Sequence, residues 1–224
     1  MREFTKEEKQ ERIAKNVAAI IDADKTMSFV NLGVGIPTLV ANYIKRPDVY
    51  VMAENGMLGV GAVAPAELAH PDLINAGRQS VLETPGCSYT DSASAFGMIR
   101  SGYIDATVLG AFEVDQAADV ANWIIPGGKQ LGVGGAMDLV SGAKKVIIAM
   151  THTSKTGAKL VKKCTLPLTA KGAVSIVVTE YAVFFCENGA WELKKLAEGV
   201  TLEELASVTD IEYSVSADLA AMTE

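Results

Sequence analysis

Short apolar runs recur along the chain, and several end directly on glycine or another small residue. Met27-Ser28-Phe29-Val30-Asn31-Leu32 reads as a strand that enters Gly33-Val34-Gly35-Ile36-Pro37-Thr38, with a helical pattern resuming over Thr38 to Tyr43. Strand, glycine turn and helix make a βα unit. Similar runs follow at Val49 to Ala53, Ser80-Val81-Leu82, Ala106-Thr107-Val108-Leu109-Gly110 and Lys145 to Met150, with a helix predicted from Asp91 to Ser101. Ahead of them, residues 5 to 22 carry Ile13, Val17, Ala18, Ile20 and Ile21 at helical spacing behind Thr5, and Glu8 completes a capping box.

From Thr165 the texture changes. Val174 to Thr179 and a hairpin around Asn188 predict an antiparallel edge, and Thr201 with Glu204 caps a short C-terminal helix. Apolar strands alternating with helices and small-residue loops predict an α/β fold: an open, mostly parallel sheet with helices on both faces, and an antiparallel hairpin near the C-terminal third. No Pro/Ser-rich linker and no long repeat interrupts residues 1–224, so a single domain is expected.

Composition narrows the function. With 224 residues, 49% hydrophobic and 21% charged, the chain can bury a sizeable core. A net charge of −7 without a Lys/Arg stripe speaks against nucleic acid. The charged N-terminus does not suit a signal peptide, and no uncharged run approaches the ~20 residues of a membrane span, so a soluble, cytoplasmic protein is expected. Cys87, Cys164 and Cys186 are widely spaced and read as reduced structural thiols. With only His70 and His152 as imidazoles, neither a metal site nor a Ser-His triad is expected.

The chemistry concentrates at Glu54. Val49-Tyr50-Val51-Met52-Ala53 delivers this glutamate into Asn55-Gly56, followed by Met57-Leu58-Gly59-Val60-Gly61. Asn-Gly is a strong turn signal, and the same tripeptide at Glu187-Asn188-Gly189 joins two apolar runs as a hairpin. After Gly56 no alternating return strand is evident, only Gly59, Gly61, Ala62, Ala64 and Pro65, which suit a loop with bare amides. The residues alone leave both a plain turn and a reacting carboxylate open at Glu54.

Two further glycine loops stand out. Asn31-Leu32-Gly33-Val34-Gly35 lacks the third glycine of a dinucleotide fingerprint, which speaks against nicotinamide binding. Pro126 to Met137 carries five glycines between 127 and 135, and bare amides there could form an oxyanion hole beside a carboxylate nucleophile. Phe96, Trp123 and Met137 read as core residues, with a ligand pocket as the alternative.

Taken together, Asn31-Leu32-Gly33-Val34-Gly35-Ile36-Pro37, Glu54-Asn55-Gly56, the segment from Gly134 to Val146 and Lys163-Cys164-Thr165-Leu166-Pro167-Leu168-Thr169 resemble the β subunit of family I coenzyme A transferases. The resemblance is closest to two-subunit short-chain enzymes that move CoA between acetate, butyrate and acetoacetate. It implies a heteromer, αβ or α2β2, with a CoA-transferase α subunit; acyl-CoA and short-chain carboxylic acids as substrates; and no cofactor beyond CoA itself. It further implies that Glu54 is the nucleophile that becomes a γ-glutamyl-CoA thioester and that Gly135 donates a backbone hydrogen bond to the oxyanion. Asn31, Gly33, Val34 and Gly35, with Asn55, Gly56 and Gly134, are implied to line the CoA site. The family often places serine before the glutamate, where this chain has Ala53. Two other readings fit a fold of this kind: a sugar-phosphate isomerase using Glu54 as general base, against which Lys129 stands alone as a phosphate grip, and a non-catalytic acyl-CoA-binding subunit.

Overall fold

The computed structural model describes residues 3–128, 130 and 132–224. In chain order these form α1 (Lys6–Ala23), β1 (Phe29–Leu32), α2 (Ile36–Leu39), β2 (Tyr50–Ala53), β3 (Met57–Val63), β4 (Val81–Tyr89), α3 (Ser92–Arg100), β5 (Ala106–Leu109), β6 (Glu113–Asp115) and β7 (Val120–Ala121). They continue with α4 (Ala136–Gly142), β8 (Lys145–Ala149), β9 (Thr153–Ser154), β10 (Gly157–Ala158), β11 (Leu160–Val161), β12 (Ile176–Val178), β13 (Ala182–Glu187), β14 (Ala190–Leu196), α5 (Leu202–Ala206) and β15 (Tyr213–Ala221).

Ten of these strands form one sheet in the order β15-β14-β13-β12-β8-β5-β1-β2-β3-β4. The central strands from β12 to β2 are all parallel. Their sequences are nearly continuous in Val, Ile, Leu and Ala because both faces are covered, and Val30, Val108, Ile147, Ile148 and Val177 are completely buried. The chain leaves β1 through α2 toward β2 on one side, and leaves β5 through α4 toward β8 on the other. Right-handed crossovers then set α2 and α4 on opposite faces, with α1 packed beside α2 and α3 beside α4. Between β1 and β5 the connections part in opposite directions. The carboxyl ends of the strands flanking such a switch point form the crevice in which open α/β sheets bind ligands.

The two capping boxes are present, at Thr5/Glu8 and Thr201/Glu204, and Asp91 caps α3 by accepting from the Ser94 amide. The helix expected from Thr38 begins earlier, at Ile36, with Pro37 in its first turn, and ends in a 3-10 turn at Val40–Asn42.

Three strand expectations need correction. Met57–Val63 is a return strand after Gly56, antiparallel to β2, and was hidden because Gly59 and Gly61 break its alternation and its register with β4 shifts twice. Ser80-Val81-Leu82 opens the nine-residue β4, which is antiparallel to β3 and not a parallel core strand. Ile176–Val178 pairs parallel with β8; antiparallel pairing begins with β13, and beyond the β13–β14 hairpin the edge is β15, parallel to β14. The residues of β15 are mostly exposed, so no apolar alternation announced that strand. Among the described residues no helix is long and apolar enough to cross a membrane.

Candidate active site

Glu54 sits at the carboxyl end of β2, beside the switch point. The final β2–β3 pair is Ala53 with Met57, which leaves Glu54-Asn55-Gly56 as a three-residue loop. The Gly56 amide donates to the Ala53 carbonyl at 3.0 Å. Both Glu-Asn-Gly copies are therefore hairpin turns, and they differ in what surrounds the glutamate. At the second copy Glu187 is an exposed strand residue paired with Ala190, and the turn is Asn188-Gly189 alone, both with positive φ. At the first copy the glutamate lies within the loop, half-buried, and is held from three sides.

The first hold is Gly56. Its φ is 120°, and a Cβ there would collide with the Thr90 carbonyl oxygen. The Thr90 amide donates to the Gly56 carbonyl at 2.8 Å, which clamps the loop to the end of β4 just before the α3 cap. The second hold is Asn31, fully buried on β1. Its Nδ2 donates to the Met52 carbonyl at 3.1 Å and approaches Glu54 Oε2 at 3.4 Å. Thr107 on β5 donates from Oγ1 to Asn31 Oδ1 at 3.1 Å, a contact prepared by the parallel register that sets Thr107 opposite Asn31. The third hold comes from the start of α4. A Cβ on Gly135 would stand 3.1 Å from Phe96 Cζ and 3.4 Å from Glu54 Cγ, so the start of α4 lies close against the glutamate, and an added side chain would crowd Phe96 of α3.

The fold thus brings Asn31, Glu54 and Gly135 together from three elements. The other predicted site residues lie around them in different roles. Gly33 ends β1 and donates its amide to the Val108 carbonyl at 2.9 Å, while a Cβ there would meet Leu109 and Val108 at 3.0 and 3.1 Å. Val34 is 62% exposed at the rim, and Gly35, at φ 92°, begins α2. Asn55 points its amide at the Ile74 carbonyl, 3.1 Å away, rather than at Glu54. Gly134 has φ 53° and open space where a side chain would project. Lys129 and Leu131, within the glycine-rich segment, lie outside the described residues. Met137, expected in the core, is 42% exposed beside Gly135, and Phe96 is half-buried against that glycine.

The sequence reading missed Thr107 as a site residue. Its one signal was a polar side chain inside the buried run Ala106 to Leu109, matching the polar Asn31 within its own apolar strand. The three cysteines are free thiols, and burial pushes Cys164 and Cys186 above the ordinary thiol range.

A carboxylate at a switch-point crevice, steadied by a buried amide and flanked by a glycine backbone, can act as nucleophile or base. The model of the coenzyme A transferase family matches residues 11–207. The β subunit of the acetate CoA-transferase of Escherichia coli (strain K12) is 47% identical over 213 residues, covering 94% of this chain and 95% of that protein. A succinyl-CoA:3-ketoacid coenzyme A transferase subunit of Helicobacter pylori (strain J99) is 49% identical over 188 residues, covering 84% of this chain and 91% of that one. Among solved structures, the acyl-CoA transferase YdiF apoenzyme of Escherichia coli O157:H7 shares the fold with a TM-score of 0.76 at 20% identity over 100% of this chain; this chain spans 45% of that longer one. With a family match across most of its length and relatives aligned almost end to end, the chain belongs to the coenzyme A transferase family.

Proposed function

We propose that this chain is the catalytic β subunit of a two-subunit CoA-transferase that moves CoA between short-chain acyl-CoA and carboxylic acids of the acetate, butyrate and acetoacetate class. The observation that carries the reading is the meeting of Asn31 and Gly135 at Glu54. Relatives named as β subunits support an α partner, completing an αβ or α2β2 assembly.

The reaction needs carboxylate chemistry alone, with CoA as substrate and no other cofactor. The Glu54 carboxylate attacks the acyl-CoA carbonyl, forming a glutamyl–acyl anhydride and releasing CoA thiolate. The thiolate attacks the glutamyl carbonyl, which expels the donor carboxylate and leaves a γ-glutamyl-CoA thioester. The acceptor carboxylate attacks that thioester to re-form an anhydride and thiolate, and thiolate attack on the acyl carbonyl yields the new acyl-CoA and regenerates Glu54. Each addition places negative charge on a carbonyl oxygen, and a preorganised donor there is worth about 10²–10³ in rate. Gly135 is the backbone donor in this scheme. Ala53, in place of a serine hydroxyl, leaves the reacting carboxylate itself unchanged.

The test is the intact mass of this chain, in complex with its α partner, after addition of acetoacetyl-CoA alone. A gain equal to CoA less one water on the peptide containing Glu54, lost in Glu54→Ala and retained in Glu187→Ala, is expected. Transfer activity surviving in Glu54→Ala would sink the assignment.

A further inference from the structure

We infer that Thr107 is a positioning residue of the transfer reaction, acting through Asn31 to hold the Glu54 carboxylate in its reacting orientation. The inference rests on Glu54 being the nucleophile and goes beyond it by assigning work to a side chain that cannot itself reach substrate.

Hydrogen-bonding capacity fixes which way the Asn31 amide faces. An asparagine amide has an oxygen that only accepts and a nitrogen that only donates, and shape does not distinguish them; the partners decide. Two of the groups around the Asn31 amide are pure acceptors, the Met52 carbonyl and the Glu54 carboxylate. The nitrogen must face them, since a flipped amide would set oxygen against oxygen at both. The amide oxygen then points to β5, where the Thr107 hydroxyl meets it at 3.1 Å. Thr107 and Asn31 are both fully buried, so water cannot take the place of that hydroxyl without opening the sheet. A buried threonine satisfying a buried asparagine is ordinary in protein cores. Here the other end of the same amide rests on the reacting carboxylate.

The consequence for chemistry follows from which carboxylate oxygen is held. Asn31 touches Oε2, leaving Oε1 to attack. When CoA thiolate adds to the glutamyl carbonyl, the negative charge develops on the oxygen that remains, and the Asn31 amide stands ready beside it. The 3.4 Å approach leaves scope to tighten as that charge builds. Without the Thr107 hydroxyl the Asn31 oxygen is a buried acceptor with no donor, and the amide can relieve this only by tilting away from Glu54.

Rapid mixing of the assembled enzyme with acetoacetyl-CoA, followed by timed mass measurement of the Glu54 adduct, tests this. Thr107→Val should slow thioester formation about tenfold, the size expected for one buried hydrogen bond that orients a reacting group. Substrate KM should stay near wild type, and Thr107→Ser, which keeps the hydroxyl, should recover most of the rate. In an Asn31→Ala background Thr107→Val should add no further loss, because the residue through which it acts is gone. Thr107→Ala is read in the same way should the valine variant not assemble. A wild-type rate without the hydroxyl, an equal loss in the serine variant, or independent losses in the double variant each overturn the inference. An absent adduct in the wild-type enzyme would instead overturn the nucleophile assignment, so the two failures are distinct.

Discussion

Gly135 and Gly56 flank one glutamate for different physical reasons, and substitution should separate them. At Gly135 the atoms a methyl would meet are the ring of Phe96 and the Cγ of Glu54, side chains that can shift by a few tenths of an ångström. Gly135→Ala should therefore assemble and melt close to wild type while turnover falls at least tenfold, because the group displaced is the proposed nucleophile; an unchanged kcat would remove the site role of this glycine. At Gly56 the obstacle to an added Cβ is the backbone oxygen of Thr90, at a φ of 120° that L side chains rarely adopt. Nothing there can yield, and Gly56→Ala should cost about 3 kcal/mol or more in denaturant unfolding. The Glu54-Asn55-Gly56 tripeptide stood out in the sequence as a candidate site. Which glycine makes room for side chains and which for a backbone was not legible there, because that depends on Thr90, Phe96 and Glu54 converging across the fold.

At the scale of elements, the loop after β8 is secured by a buried polar knot. His152 is fully buried, with Nδ1 2.9 Å from Thr179 Oγ1 and Nε2 2.9 Å from Thr209 Oγ1. The Thr209 hydroxyl donates to the Leu205 carbonyl at 2.7 Å, so it accepts from Nε2–H, and the Thr179 hydroxyl, 3.2 Å from the Ala182 carbonyl, gives its one proton to the nearer Nδ1. Burial, with the Lys159 ammonium adding to it, lowers the imidazole pKa from 6.5 to about 4. Because the folded pKa is the lower one, the unfolded chain binds the proton first as pH falls. Stability is therefore full above about pH 6.5 and declines through the window down to about pH 4. Denaturant unfolding should show a loss of about 2 kcal/mol between pH 7 and pH 5 that His152→Gln largely removes; an identical pH slope in the variant would locate the loss elsewhere. Helix ends in this molecule were readable from short-range patterns, as at Thr5 and Thr201. The β2–β3 hairpin was not, since its evidence is pairing to β4 across bulges that the residue alternation conceals.

For the whole molecule, the open crevice is the feature that matters. Glu54 is half-buried at the carboxyl edge of the sheet, and Val34 and Met137 are exposed along the same rim. Under the proposed function the acyl pocket is completed by the α subunit, and the isolated chain should show no CoA transfer above background. Adding the purified partner should restore activity with a saturable dependence on its concentration. Full turnover by this chain alone would overturn the two-subunit reading. Acyl preference is expected to follow the partner as much as this chain, since one methylene in a shared pocket discriminates by only about 1–3 kcal/mol.

By itself the sequence determined what local interactions determine: capped helices, apolar strands buried on both faces, a chain rich enough in apolar residues to build one large sheet, and a glutamate set among glycines in an order resembling CoA-transferase β subunits. Tertiary structure alone decided strand order, the antiparallel β2-β3-β4 run and the outer β15, because pairing partners far apart in sequence leave little trace in residue alternation. It also decided the site. Asn31 and Thr107 are 76 residues apart and meet only through the parallel β1–β5 register, while Gly135 reaches Glu54 only because α3 and α4 pack together above the sheet. A candidate carboxylate can be spotted along the chain, but the side chains that surround it are selected by distance in space, which the fold alone supplies.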